Sequence, residues 1–297
     1  MEQIRTTKFK DLELNDEMVS IKSSQPISEA LALLQSKNIR TLGVLSDDEK
    51  LIGLVTVFDI MTYICFGSFN SPDVSSNTDV ESAMKSLDIP VGKVTGVFHN
   101  ETNKTWHFND TDLVLESFDI MCLGVHQAAI KNSDGKYKLV SQHDLVKFFH
   151  KFEKALGLDK SLDDAGLAKE KSCTVVKESD VALFAFRRME ESENTALPVV
   201  DGSNQVVGTI SVSDVRSLST NNMDMVLKPV LEFLEGVHGE SSAPVTCTSS
   251  TTVYSVIRDL VESFHRHVWL VNDDGKLIGC VSLTDIIDYC ADIIAKQ

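Results

Sequence analysis

The chain has 297 residues, 42% of them hydrophobic and 24% charged, and its 28 Lys and Arg against 44 Asp and Glu give a formal net charge of −16 at neutral pH. That make-up suits a soluble globular protein long enough for two domains. The negative surface repels nucleic acid and anionic membrane, so an anionic ligand must be held by a local basic pocket working against the rest of the field.

Met1 to Lys10 is polar and mixed in charge, which is not a secretory signal. The first amphipathic helix opens at Ile27 and carries Ala30, Leu31 and Leu34 at offsets of three, four and seven. A short apolar run, Thr41 to Leu45, leads to the polar turn Asp47-Asp48-Glu49-Lys50. A second strand follows and ends in Leu54-Val55-Thr56-Val57-Phe58-Asp59-Ile60, a hydroxyl residue three places before an Asp at the mouth of an apolar helix. Leu51 to Phe66 is the most apolar stretch, but it is shorter than the roughly 20 residues of a membrane span and has Asp59 at its centre.

The same succession returns three times. The second copy opens at Val114, keeps Phe118 and Met121 but has Ser117 inside the stripe, and ends in Ser141-Gln142-His143-Asp144. It is the weakest of the four. The third opens at Val181 with Phe184 and Ala185 and ends in Ser211-Val212-Ser213-Asp214. The fourth, with Val253, Val256, Ile257 and Leu260, ends in Ser282-Leu283-Thr284-Asp285. From opener to Asp the separations are 32, 30, 33 and 32, so the chain is a repeat protein. Each unit reads helix, strand, turn, strand, helix, and about 60 residues of that kind bury too little to stand alone, so copies should pair. Polar stretches separate them: Ser68 to Ser82 links the first pair internally, Leu156 to Lys171 lies between the two pairs as the module boundary, and Ser217 to Ala243 joins the last two copies and is partly helical around Val230-Leu231-Glu232-Phe233-Leu234.

Six cysteines stand singly, without Cys-x-x-Cys, as in a reducing compartment, cytoplasmic or nuclear. Asn100-Glu101-Thr102 and Asn109-Asp110-Thr111 match the glycosylation sequon, which without secretion is chance. Trp106 and Trp269 sit in apolar contexts as core residues. His265 and His267 share one side of a strand but lack a third ligand for a metal. No Gly-rich phosphate loop, nucleophile elbow or paired carboxylates are present to build a reaction around, so a non-catalytic protein is expected.

The repeated phrase, together with Ala196-Leu197-Pro198-Val199-Val200-Asp201 and His265-Arg266-His267-Val268-Trp269-Leu270-Val271, resembles the CBS domain. Of that family it is most similar to the gamma subunit of AMP-activated protein kinase. The resemblance runs from about Asp11 to Ile294. It implies an α/β (α+β) fold of four CBS repeats, at 11–67, 68–155, 173–219 and 243–297 with linkers at 156–172 and 220–242. In the family two repeats form a Bateman module, and two modules stack into a disc.

An Asp three residues after Ser or Thr places a carboxylate and a hydroxyl beside the unpaired donors of a helix N-terminus, and in isolation this is a helix cap. An ionised carboxylate accepts only, so it can also take both hydroxyls of a ribose, and the helix end favours phosphate. The resemblance implies ribose contacts from Asp59, Asp144, Asp214 and Asp285, supported by Thr56, Ser141, Ser211, Ser282 and Thr284. It draws phosphate ligands from the residues twelve and thirteen after each opener: Ile39-Arg40, His126-Gln127, Glu193-Asn194 and His265-Arg266. Arg40, His126, His265 and Arg266 are thus the phosphate candidates, with His143 beside them where the gamma subunits carry Lys. Those subunits also carry a basic residue where Asp144 stands, so the four clefts should be unequal. The expected ligand is AMP, with ADP or ATP competing, and the expected partners are kinase catalytic and scaffold subunits. The alternative is a scaffold that binds no nucleotide.

Overall fold

The structure, a computed structural model, describes residues 1–14, 17–69, 77–96, 106–239 and 243–297. The sequon at Asn100 and residues 70–76 of the Ser68 to Ser82 stretch lie outside the described residues.

Four three-stranded sheets follow in chain order: β1 (Ser20–Lys22), β2 (Thr41–Leu45) and β3 (Leu51–Thr56); β4 (His107–Asn109), β5 (Gln127–Lys131) and β6 (Tyr137–Ser141); β7 (Val176–Lys177), β8 (Ala196–Val200) and β9 (Val206–Ser211); β10 (Thr246–Cys247), β11 (His267–Val271) and β12 (Leu277–Ser282). In each, the first strand pairs parallel with the second across a helix, and the second pairs antiparallel with the third through a tight turn. Each turn has one left-handed residue just before its closing strand: Glu49 (φ 60), Gly135 (φ 80), Asn204 (φ 64) and Gly275 (φ 77). Glycine and asparagine tolerate that conformation and glutamate does not. Glu49→Gly is therefore expected to raise stability by about 0.5–1 kcal/mol, read as a higher urea midpoint at unchanged m-value.

The helical stripes are buried as their spacing predicts in the first and fourth copies, where Ile27, Ala30, Leu31, Leu34, Val253, Val256, Ile257 and Leu260 form core. The third copy differs by one residue. Val181 is the N-cap of the helix Ala182–Glu191, the buried stripe is Ala182, Ala185, Phe186 and Met189, and Phe184 is 38% exposed. Counting from Ala182 gives a separation of 32 to Asp214, equal to the first and fourth copies. In the second copy the opening helix shrinks to a 3-10 turn, Val114–Ser117, and one α-helical turn, Phe118–Met121. Ser117 is buried there with its hydroxyl donating to the Val114 carbonyl at 2.7 Å, so the polar residue in the stripe is satisfied locally.

The chain divides into two compact units that combine alternate repeats, not the consecutive ones that the polar stretches suggest, because the apolar faces of the second and fourth copies share one core and those of the first and third another. One contains residues 1–18, 106–173 and 245–297, and the other residues 19–105 and 174–244. Each has its own apolar core. In the first, Phe118, Val140, Leu145 and Phe149 of the second copy pack with Val256, Ile257, Ile286 and Ile287 of the fourth. In the second, Leu31, Val55 and Ile60 pack with Phe186, Ile210 and Val215. The stretch 156–172 is a packed part of the first unit, not a loose tether. Leu158 and Leu162 are fully buried, and Leu162 N–H donates to Thr251 O at 2.8 Å. Trp269 is core at 2% exposure, while Trp106, at 37%, is not.

Candidate functional site

The chemistry gathers where the third strand of each sheet hands over to a helix. In all four copies the backbone N–H of the hydroxyl residue donates to Oδ2 of the Asp, at 2.8 Å for Thr56–Asp59, 2.8 Å for Ser141–Asp144, 2.7 Å for Ser211–Asp214 and 2.8 Å for Ser282–Asp285. The hydroxyls donate to the same oxygen, at 2.6 Å in three copies and 3.3 Å from Ser211. Each Asp is thus a helix cap through one of its two oxygens.

That second oxygen meets a different neighbour in different copies. Lys171 Nζ donates to Asp285 Oδ1 at 2.7 Å, and His238 Nε2 lies 3.0 Å from Asp214 Oδ1. Burial alone would raise the Asp285 carboxyl, but the Lys171 ammonium and the Ser282 hydroxyl and N–H outweigh it and hold it below the usual carboxylate range. Asp59 is wholly buried. Asp144 is half-buried and borders a cavity of about 140 Å³ whose walls include Leu12, Leu14, Lys147, Phe148 and Lys151.

The backbone supplies a ruler for the residue that opens the second strand. The first N–H of each following helix donates to the carbonyl of Arg40, His126, Thr195 or Arg266, at 3.0 Å in every copy. Those four residues are equivalent. The sequence count is right at Arg40 and Arg266 but one residue off in the other two copies, where His126 takes the arginine position and Thr195, preceded by Asn194, replaces Glu193-Asn194. The second copy is short because its opening helix is truncated and because β5 and β6 pair without the bulge present in the other three sheets.

In the unit made of the second and fourth copies, the cationic candidates converge. Burial, and then the charges of Arg266, His126 and His265, push the His267 imidazole down to about 4, opposed by Asp285. His126 comes from the second copy and the other three from the fourth. His267 is stacked on Trp269 with ring centroids 5.6 Å apart, and its Nδ1 is buried without a hydrogen bond. Two other candidates are committed to the fold. His143 Nε2 lies 3.0 Å from Leu260 O and its ring stacks on Phe264 at 5.0 Å, while Thr284 Oγ1 accepts from the buried Gln142 Nε2 at 2.8 Å.

In the other unit, Arg40 Nε donates to Ser213 Oγ at 2.9 Å, and Arg216 Nη1 donates to Asn38 Oδ1 at 3.0 Å and Ile39 O at 3.2 Å. Its basic groups are thus tied across the two copies. Lys171, Arg216 and His238 escaped the sequence count because all three lie outside the repeated phrase, two of them in stretches that read as linkers.

His238 carries a pH dependence. The hydrogen bond to Asp214 raises its imidazole above the ordinary value, against burial and Arg216. A raised folded-state value means that its contribution to stability is complete below about pH 6.5 and is lost as the pH rises through the folded-state value. The expected NMR titration of His238 lies above that of a model imidazole and returns toward it in Asp214→Asn. An unshifted midpoint in the unaltered protein would contradict the pair.

The CBS-domain model matches residues 9–65, 170–221 and 240–292, more than half of the chain, and leaves the second copy unmatched. The SNF1-related protein kinase regulatory subunit gamma-like PV42a of Arabidopsis thaliana is 24% identical over 274 residues, covering 80% of this chain and 74% of the relative. Protein SDS23 of Candida albicans is 23% identical over 307 residues, covering 90% of this chain but 48% of its own length. Among solved structures, protein MJ1225 of Methanocaldococcus jannaschii superposes with a TM-score of 0.75 at 16% identity, over 95% of this chain and 99% of that one. This likeness shows the fold. No helix among the described residues is long and apolar enough to cross a membrane.

Proposed function

Because the chain belongs to the CBS-domain family, we propose that it is a non-catalytic regulatory protein that binds an adenine nucleotide, AMP foremost and ADP or ATP in competition. The observation that carries this reading is the meeting of His126, His265 and Arg266 in one unit, beside Asp285. Arg266 can donate charge-assisted hydrogen bonds to a phosphate, with His126 and His265 as further donors, while Asp285 accepts from the ribose hydroxyls. The ligand would touch both repeats of the unit, and it shifts their arrangement only to the extent that it binds one arrangement better. Asp59, Asp144 and Asp214 are weaker ribose candidates, and Arg40, in the unit of Asp59 and Asp214, is a weaker phosphate candidate. The similarity to a kinase gamma-like subunit supports a protein kinase complex as the receiver, with catalytic and scaffold subunits as partners.

Calorimetric titration of the purified chain with AMP and ATP tests this. Saturable binding that Asp285→Asn weakens at least about tenfold is expected, since a charge-assisted hydrogen bond contributes roughly 1.5–3 kcal/mol. Absence of heat at millimolar AMP, ADP and ATP would overturn it. A scaffold without nucleotide is the second reading. Asn194 and Thr195 favour it for the third copy, because they bring no charge to the phosphate position and His238 already holds Asp214.

A further inference from the structure

Two cysteines differ from the rest in their surroundings. Cys65, Cys247 and Cys290 are buried, and burial pushes the first two thiols up to about 12 and the third above that. Cys122 is half-buried and also raised, to about 11, by burial and by Asp288, Asp119 and Asp292. Such thiols stay protonated and inert. Cys173 and Cys280 are both half-buried and lie on two segments that run side by side, the Cys173 thiol donating to Lys171 O at 3.7 Å.

The backbone brings them together. Residues 167–175 have no regular secondary structure and run along β12, where Lys171 N–H donates to Ile278 O at 3.1 Å. The approach is so close that a Cβ at Gly279 would lie 2.9 Å from Lys169 O. Cys280 follows that glycine on the strand, and Cys173 follows Lys171 by two on the facing segment. The Cys280 side chain lowers the Cys173 thiol to about 7 against the effect of burial, with help from Lys171. Cys280 is shifted the other way. Of the two thiols, Cys173 is the one whose surroundings favour ionisation.

We propose that Cys173 and Cys280 are a redox couple, a dithiol that hydrogen peroxide converts to a reversible disulfide pinning the Lys171 segment to β12. The Cys173 thiolate attacks one peroxide oxygen, the O–O bond breaks, and the departing hydroxide leaves as water once protonated, giving a sulfenic acid. Cys280 then loses its proton as its sulfur attacks the Cys173 sulfur, the S–O bond breaks, a second water leaves and the S–S bond closes. Two thiols and one peroxide become one disulfide and two waters, and a dithiol reductant restores both thiols by exchange. The segment lacks regular structure and can absorb the shortening of the sulfur contact to about 2.05 Å.

The disulfide would hold Lys171 within two residues of a covalent anchor and so keep its ammonium on Asp285 Oδ1. Its effect on nucleotide binding rests on the reading of Asp285 given above. Lys171 and a ribose hydroxyl compete for the same oxygen, so oxidation is expected to weaken AMP binding roughly tenfold.

The test treats the full chain with one equivalent of hydrogen peroxide and maps its peptides without reduction. The expected product is two mass units lighter, links the peptides of Cys173 and Cys280, and reverts with dithiothreitol. Cys280→Ser should halt the reaction at a Cys173 sulfenic acid captured by dimedone, and Cys173→Ser should remain unoxidised. Linkage through other cysteines, or equal labelling of Cys122 and Cys173, would overturn the couple. If the disulfide forms but AMP binds the oxidised and reduced chains equally, the coupling to Asp285 fails. If the reduced chain binds no adenine nucleotide while the disulfide forms, the nucleotide reading fails and the redox couple stands.

Discussion

Arg266→Ala is expected to weaken AMP binding by about 10- to 100-fold, the loss of one charge-assisted contact to phosphate, while leaving the melting temperature at or above that of the unaltered chain. The two effects part if the residue serves the proposed ligand rather than the fold. The Arg266 charge is one of the causes that push the buried His267 imidazole down, after burial itself. Removing that charge lifts part of the opposition to a proton on His267. Arg40→Ala makes the contrast, because Arg40 Nε already donates to Ser213 across two repeats of the other unit. Its loss is expected to lower stability and to change AMP affinity less. Calorimetry and thermal melts on both variants measure the difference. A large fall in melting temperature for Arg266→Ala without loss of affinity would make Arg266 a structural residue.

Phe149→Ala is expected to cost about 3–5 kcal/mol, enough to unfold the unit made of the second and fourth copies under mild conditions. Phe149 is fully buried on the helix Gln142–His150, with its ring edge-on to Phe118 at 5.4 Å, in the core shared with Ile257 and Ile287. The opening helix of the second copy is only one α-helical turn, so this copy depends on such contacts with the fourth. Two transitions in urea, with only one of them shifted by Phe149→Ala, are expected because each unit has its own core. One shared transition that moves as a whole would show that the units unfold together. Phe186→Ala, whose ring meets Phe233 at 5.5 Å in the other core, is the matching probe.

The sequence by itself determined the repeat, the strands, and the Ser or Thr to Asp caps, because each depends on residues within a turn or a hairpin of one another. A stripe at offsets of three and four, a polar turn, and a hydroxyl three residues before a carboxylate are local arrangements, and local sterics and hydrogen bonding suffice to set them. The misses in register came from the same source. Val181 is apolar, as an opener should be, yet serves as a cap, and the missing bulge between β5 and β6 leaves no mark in composition. Tertiary structure decided which copies pack in one unit, that His126 meets His265 and Arg266, that Lys171 and His238 take the second oxygens of Asp285 and Asp214, and that Cys173 faces Cys280. These partners are 24 to 140 residues apart. They meet because apolar stripes too small to be buried alone are buried against one another, and no local pattern records which stripe covers which.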